Sequence, residues 1–499
     1  MKILKIIISF ALFTTVVGCR NTIEFPGTNV ELGFSSDTIY LDTVFTGLAS
    51  STRTLKVFNP SDENITIDRV YLGRGAGSFY RMNVDGVSGK DVENVELFAK
   101  DSTYIFIEIS PDAAGSTELV YKDSILFENG GIQQHVDVVT TVWDAIYHFP
   151  TNVLTIHRPE PLPPLKLAYS VLGENEVWDN TKPHVVYGYA VVDSSHRLTI
   201  EPGTQVHFHA GSGLWVYRDG ELYVDPNETG SMDDAVVFQG DRLEPSYEWV
   251  PGQWGGLLGG VFIQGGAQSK AILNNLIIKN SSTALRVDRA WGTLPNLTVS
   301  NTIITHSSRV GLYGGYGNIL GTNLAIGPSG VYGFYGLGGN YRFDHSTINN
   351  TWSFSSRGGT GIGMVNFFED AAGNRYTRSL SATFTNTYIG GNLASEVAMG
   401  IDNNEVFDVR FENSALKIEP NPEAGHYTLT DTTMFKDCEF NLNWGFSSTP
   451  WIPEDQWRFL PDSVSLLFSK AKATAISPLL DLGGTGRSTP ATIGALERP

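Results

Sequence analysis

Cysteine is nearly absent: the 499-residue chain has two, Cys19 and Cys438. If Cys19 is used elsewhere, one thiol remains and no internal disulfide can form, so the fold rests on packing. Positive charge is also scarce. Lysine and arginine number 34 against 53 aspartates and glutamates, a formal net charge of −19. Such acidity excludes nucleic acid as a partner and disfavours polyanionic glycans, because like charges repel over a Debye length of about 10 Å. Neutral sugars are unaffected. Long apolar runs are missing beyond the N-terminus, and no stretch shows the spacing of an amphipathic helix.

The one apolar run, Ile6-Ile7-Ile8-Ser9-Phe10-Ala11-Leu12-Phe13, follows Lys2 and Lys5 and is too short to span a bilayer comfortably. Thr15-Val16-Val17-Gly18-Cys19 closes it and resembles the lipobox of bacterial lipoproteins. That resemblance implies a signal peptide over 1–18, acylation of Cys19 and a tether over 19–29. Two or three acyl chains hold a protein stably on a bilayer, which one does not. Arg20, where an aspartate would favour inner-membrane retention, implies an outer-membrane lipoprotein of the cell envelope.

From Val30 to about 145 short alternating stretches are split by turn signals. Thr52–Phe58, Ile65-Thr66-Ile67, Tyr104–Ile109 and His135–Val139 are examples. This spacing predicts a small antiparallel sandwich. The order of elements resembles the immunoglobulin-like domains of the Hydin and major sperm protein type. Next, His157-Arg158-Pro159-Glu160-Pro161-Leu162-Pro163-Pro164 predicts a stiff connection, so 146–185 reads as a proline-rich linker and opening cap.

Beyond it a six-residue unit recurs: apolar, any, Asn, any, any, apolar. Leu273–Ile278, Val299–Ile304, Phe384–Ile389 and Phe411–Leu416 fit, with Asn323 a partial match. Successive spacings are 26 residues from Asn275 to Asn301, 22 to Asn323, 63 to Asn386 and 27 to Asn413. Periods in the low twenties without helical pattern predict a right-handed parallel β-helix over 186–445, following the β-sandwich in an all-β chain. Leu198–Val206 with Trp254-Gly255-Gly256 resembles the opening coils of bacterial β-helix lipoproteins. Ile476–Gly483 and Ile493–Glu497 resemble their closing motif, with Thr492 where an aspartate is usual. The 446–499 segment is therefore expected as a cap or tail.

Candidate chemistry is sparse. Asp344-His345 resembles the Asp-His stretch of polysaccharide lyases. Set in phase, however, His345 falls on the asparagine column and Asp344 points outward onto a mixed surface. A lyase would need a calcium site of several carboxylates and a basic residue, with Glu369 and Arg375 among the nearby candidates. The lyase Arg-x-Pro-x-x-Arg motif and the Gly-His-Gly segment of polygalacturonase-type hydrolases are absent. His207 and His209 alternate with Val206 and Phe208, which predicts outward surface histidines. Tyr313 and Tyr335 lie 12 residues after Asn301 and Asn323, which predicts two stacked outward rings, with Tyr316 nearby. A flat aromatic ledge suits the apolar face of a sugar.

The residues thus lead to a membrane-anchored, non-catalytic scaffold for a glycan or an envelope protein, without cofactor. A polysaccharide lyase or glycoside hydrolase, and a purely structural or adhesive protein, are the alternatives.

Overall fold

The computed structural model describes residues 24–26, 29–111, 119–158, 162–266, 270–289, 295–419, 427–441, 445, 459–462 and 465–497. The signal segment 1–18, Cys19, most of the 19–29 tether and 446–458 of the tail lie outside the described residues. The chain is all-β, with three short 3-10 turns and no α-helix among the described residues. It divides into two compact units, Met1–Asp144 and Ala145–Pro499.

The first unit holds two sheets of largely antiparallel strands. Ser102–Ile109 alternates buried and outward side chains, with Ile105, Ile107 and Ile109 inside. Val120–Asn129 and Ile132–Trp143 form a long hairpin across the turn at Gly130-Gly131. Leu55, Val57, Ile105 and Ile107 of one sheet pack in a common core with Ile65, Val70, Ile125 and Phe127 of the other.

The second unit holds two large sheets, of 19 and ten strands, in which almost every pairing is parallel. The chain visits them in turn. Leu297–Thr305 joins the larger sheet and Val310–Gly315 the smaller; Asn318–Ile326 and Tyr332–Leu337 then repeat the step. Parallel register aligns equivalent side chains, so apolar residues stack into continuous files. Phe343, Phe384, Phe411 and Phe435 form one such file, with successive ring centroids 5.2, 5.2 and 5.5 Å apart.

Asparagine marks the bend because its backbone tolerates the left-handed region better than most residues. Asn275, Asn301, Asn323, Asn386 and Asn413 all have φ between 44° and 52°. His345 at 46° and Asp437 at 53° take the same conformation, so both stand on this column. Side-chain amides link its steps: Asn323 donates to Asn301 Oδ1 (2.8 Å) and Asn413 to Asn386 Oδ1 (3.0 Å). The 41 residues between His345 and Asn386 form one repeat with an insertion, since Gly339–Asp344 pairs directly with Leu380–Thr385.

The unit boundary falls at Asp144, at the end expected for the sandwich. Two expectations, the linker and the tail, are corrected. Residues 157–164 instead connect Asn152–Ile156 to Leu165–Val171, an antiparallel pair within the second unit. Ile146–His148 and Asn175–Trp178 likewise already belong to the large parallel sheet. Among the described residues the tail does not close an open end. Its described residues run along the side of the repeats, where Lys470 O and Lys472 O accept from Asn413 and Asn386 and Leu480 O accepts from Asn323. Pattern matching gives the period of a repeat but not the path of a non-repeating segment.

His207 is also corrected. It alternates with buried Val206 and Phe208, yet it is itself fully buried, with Nδ1 3.2 Å from Gly240 O. His209 is exposed, paired with Asp241 at 2.7 Å and stacked on Tyr187. Burial pushes the His207 imidazole from 6.5 down to about 4. The unfolded chain therefore binds more protons than the native one between those values. Stability is retained above the upper value and falls as pH drops through the window, by about 3 kcal/mol. Urea midpoints of the parent and His207→Gln across that window check this: the acid-side slope should shrink in the variant, and an unchanged slope would refute the assignment.

Candidate functional site

The ten-stranded sheet turns alternate side chains outward, and parallel register sets them in files. One file runs Trp215, Phe262, Arg286, Tyr313, Tyr335, each the direct register partner of the next; Phe262 is buried at 6% exposure and the other four are half-buried. At about 4.8 Å per strand its four steps span roughly 19 Å. Tyr313 and Tyr335 stack with ring centroids 5.6 Å apart and planes 18° apart, the arrangement expected from their spacing. Trp215 and Phe262 stack at 6.3 Å and 23°. The Arg286 guanidinium bridges the two halves, 4.8 Å from the Phe262 ring and 5.5 Å from that of Tyr313.

Small residues make room for this file. A Cβ on Gly363 would stand 2.8 Å from both Tyr332 and Tyr335, so glycine there lets the two rings close to 4.9 Å. Polar atoms border it. Trp215 Nε1 donates to Gln264 Oε1 at 3.1 Å, and Arg286 Nη2 donates to Asp288 Oδ2. Arg286 Nε and Asp288 Oδ1 are buried without hydrogen-bond partners, one a donor and the other an acceptor. Burial, with Tyr313 adding to it, pushes the Tyr335 phenol up to about 12, so the ring stays neutral. Tyr316 stands apart from the stack at a left-handed turn, with Arg378 5.8 Å from its ring.

Sequence spacing identified only Tyr313 and Tyr335 in this file. Trp215, Phe262 and Arg286 escaped because the repeats drift in length. Leu285 follows Asn275 by ten residues, whereas its partner Leu312 follows Asn301 by eleven. The loop between Val236–Gly240 and Val261–Gln264 displaces Phe262 further.

Asp344 is the clearest correction. Expected on an ordinary surface, it is fully buried beneath the tail. Its Oδ1 accepts from His345 Nδ1 (2.7 Å) and Asn386 Nδ2 (3.0 Å); Oδ2 accepts from Thr474 Oγ1 and Ser477 Oγ. Position within a repeat fixes a side chain's direction, not what lies over it. Burial pushes the Asp344 carboxyl up, but hydrogen bonds from His345 and Thr474 outweigh it and hold it below the usual range. Burial lowers the His345 imidazole against the opposing pull of Asp344. The ring is therefore neutral at pH 7, with its proton on Nδ1 facing Asp344.

Glu369 and Arg375 lie elsewhere, on the hairpin Phe367–Glu369 and Arg375–Thr377. Arg375 pairs with Glu369 at 2.7 Å and with Asp402 at 3.2 Å. Asp370 closes the same hairpin by accepting from the Ala372 and Asn374 amides, each at 2.9 Å. These groups hold one another in ion pairs and turns, and the structure does not bring them to the Asp344-His345 dyad. Among the described residues no three His, Cys, Asp or Glu side chains gather as metal ligands.

No family model matches the chain, and no curated protein does. Solved structures similar to part of it include the ASH/PapD-like domain of human CEP192, at 9% identity and TM-score 0.17, covering 25% of this chain and 94% of that one. A family 123 glycoside hydrolase from Clostridium perfringens matches at 8% and TM-score 0.18, over 24% of this chain and 31% of its own. A protein of unknown function from Porphyromonas gingivalis W83 matches at 10% and TM-score 0.17, over 26% and 72% respectively.

Proposed function

We propose that the protein is an exported lipoprotein, anchored to the outer membrane through acylated Cys19, that binds a neutral glycan without cleaving it. In this reading the first unit is an immunoglobulin-like spacer and the second a right-handed parallel β-helix, with the ligand chain lying along its ten-stranded sheet. The observation that carries it is the file Trp215, Phe262, Arg286, Tyr313, Tyr335. Aromatic side chains pack against the apolar faces of sugar rings, and half-buried Trp215, Tyr313 and Tyr335 set along one file suit a chain better than a single ring. The net charge of −19 favours a neutral ligand.

Affinity electrophoresis against a panel of soluble neutral polysaccharides tests this. A retained polymer should be released by Trp215→Ala or by the Tyr313→Ala, Tyr335→Ala pair, each aromatic contributing about tenfold. Unchanged retardation in both variants would remove the ledge as the site, and release of new reducing ends or unsaturated uronates would make the protein an enzyme.

A further inference from the structure

The first strand of the second unit, Ile146–His148, pairs in parallel with His184–Val186 and is tied to it by two histidines. His148 Nε2 and His184 Nδ1 face each other at 3.0 Å. Their ring centroids are 5.3 Å apart and their planes 12° apart, so the two nitrogens meet nearly head-on, with room for one proton between them. The far side of His184 decides which ring supplies it. His184 Nε2 lies 3.3 Å from Asp179 O, and a carbonyl only accepts. His184 therefore carries its proton on Nε2, and its Nδ1 lone pair accepts from His148 Nε2. Trp178 lies against both rings, with centroids at 4.5 and 4.8 Å, and its Nε1 donates to Glu176 Oε1 at 2.8 Å. Two backbone bonds complete the tie: the Ile146 amide donates to Pro183 O (2.8 Å) and the Tyr187 amide to His148 O (3.0 Å).

Two carboxylates act on the pair, Glu176 on the strand Asn175–Trp178 and Asp179 in the turn after it, and both favour protonation. Burial opposes them and prevails. Together with the charge of His184 it lowers His148 from 6.5 to about 4, and it lowers His184, which is 2% exposed, as well. We infer that the pair is an acid-released latch, which ties the first strand to the stack when neutral and frees it when both rings are protonated. A first proton enters at His148 Nδ1, on the side away from the pair, and leaves the N–H···N bond in place. A second has only His184 Nδ1 to occupy, where it points at the proton of His148 Nε2. Two donors and two like charges then face each other at 3.0 Å, and the rings part. In the freed strand both imidazoles bind protons near their ordinary value, above that of the tied strand. Release is therefore favoured as pH falls below that value and is reversed as pH rises. The latch involves neither the aromatic file nor Cys19, so it stands apart from the function proposed above.

Hydrogen exchange read by mass spectrometry at about pH 7 and about pH 4.5, corrected for the intrinsic rate, tests the inference. The Ile146 and Tyr187 amides should lose protection by about a hundredfold or more between the two, while Leu297–Thr305 keeps its own. In His184→Asn the amide oxygen still accepts from His148 but takes no proton; in His148→Gln the amide nitrogen still donates to His184. Each variant should be protected at about pH 7 and should show a loss at least about tenfold smaller than the parent. If one variant already lacks protection at neutral pH, the other decides. The inference is overturned by any of four results: equal protection of the parent at both pH values, an undiminished loss in the protected variants, simultaneous loss over Leu297–Thr305, or both variants unprotected at neutral pH.

Discussion

Phe384→Ala should lose about 3–5 kcal/mol of stability, the range for deleting a fully buried phenylalanine. Phe384 sits between Phe343 and Phe411 in the ring file, stacked on both within 16° of parallel. It also meets Phe334 of the other large sheet edge-on at 6.1 Å. Truncation removes contacts in three directions at once, and strands tied by parallel ladders above and below have little freedom to collapse into the void. Phe384→Leu should lose less, about 1–2 kcal/mol, because most of the volume stays. Urea midpoints with tryptophan fluorescence measure both. A loss under about 1 kcal/mol for the alanine variant would mean that the file is not load-sharing, contrary to the packing described.

Arg357→Met should be of similar size, about 3–5 kcal/mol, for an electrostatic reason. Glu396 is fully buried, and Arg357 donates to both of its oxygens at 2.7 and 2.6 Å. The amides of Leu393 (2.8 Å) and Gly361 (2.7 Å) complete its shell. Removing the guanidinium strands a carboxylate inside protein. Replacing Glu396 by Gln in the same chain should recover a large part of the loss, since the uncompensated charge then disappears. Burial already pushes the Glu396 carboxyl above its ordinary value despite Arg357. A raised carboxyl means that the native state keeps its proton to higher pH than the unfolded chain. Stability from that proton is present at low pH and is lost as pH rises through the raised value. The Arg357→Met defect should therefore be smaller at about pH 5 than at about pH 8. Equal defects at both would show that Glu396 is not the stranded group.

Much of this was legible in the residues. The period of Asn275, Asn301, Asn323, Asn386 and Asn413 announced parallel repeats because only a few side chains accept the left-handed bend. His345 and Asp437 could be placed on that column by counting alone. Counting also gave the Tyr313–Tyr335 stack, since those two repeats have equal length. It failed wherever the chain departs from the period. Arg286 slipped by one residue, Phe262 by a whole loop, and the prolines at 157–164 read as a hinge when they bridge two paired strands. Asp344 and His207 were assigned the right side of their strands and the wrong surroundings, because what covers an outward face is set by distant segments. Thr474 and Ser477, more than a hundred residues from Asp344, carry no local sign of meeting it.

Stacked repeats of one pattern have a weakness: a strand can pair one repeat too early or too late and still bury apolar residues. The tail carries its own set of non-repeating contacts across Asn323, Asp344, Asn386 and Asn413. Thr474 meets an aspartate beside the bend only at Asp344, where the neighbouring repeats have threonine, as at Thr322 and Thr385. A chain that has slipped by one repeat cannot satisfy all four contacts at once. The tail's contacts are thus a gauge of register, complete only over a stack whose repeats are counted correctly.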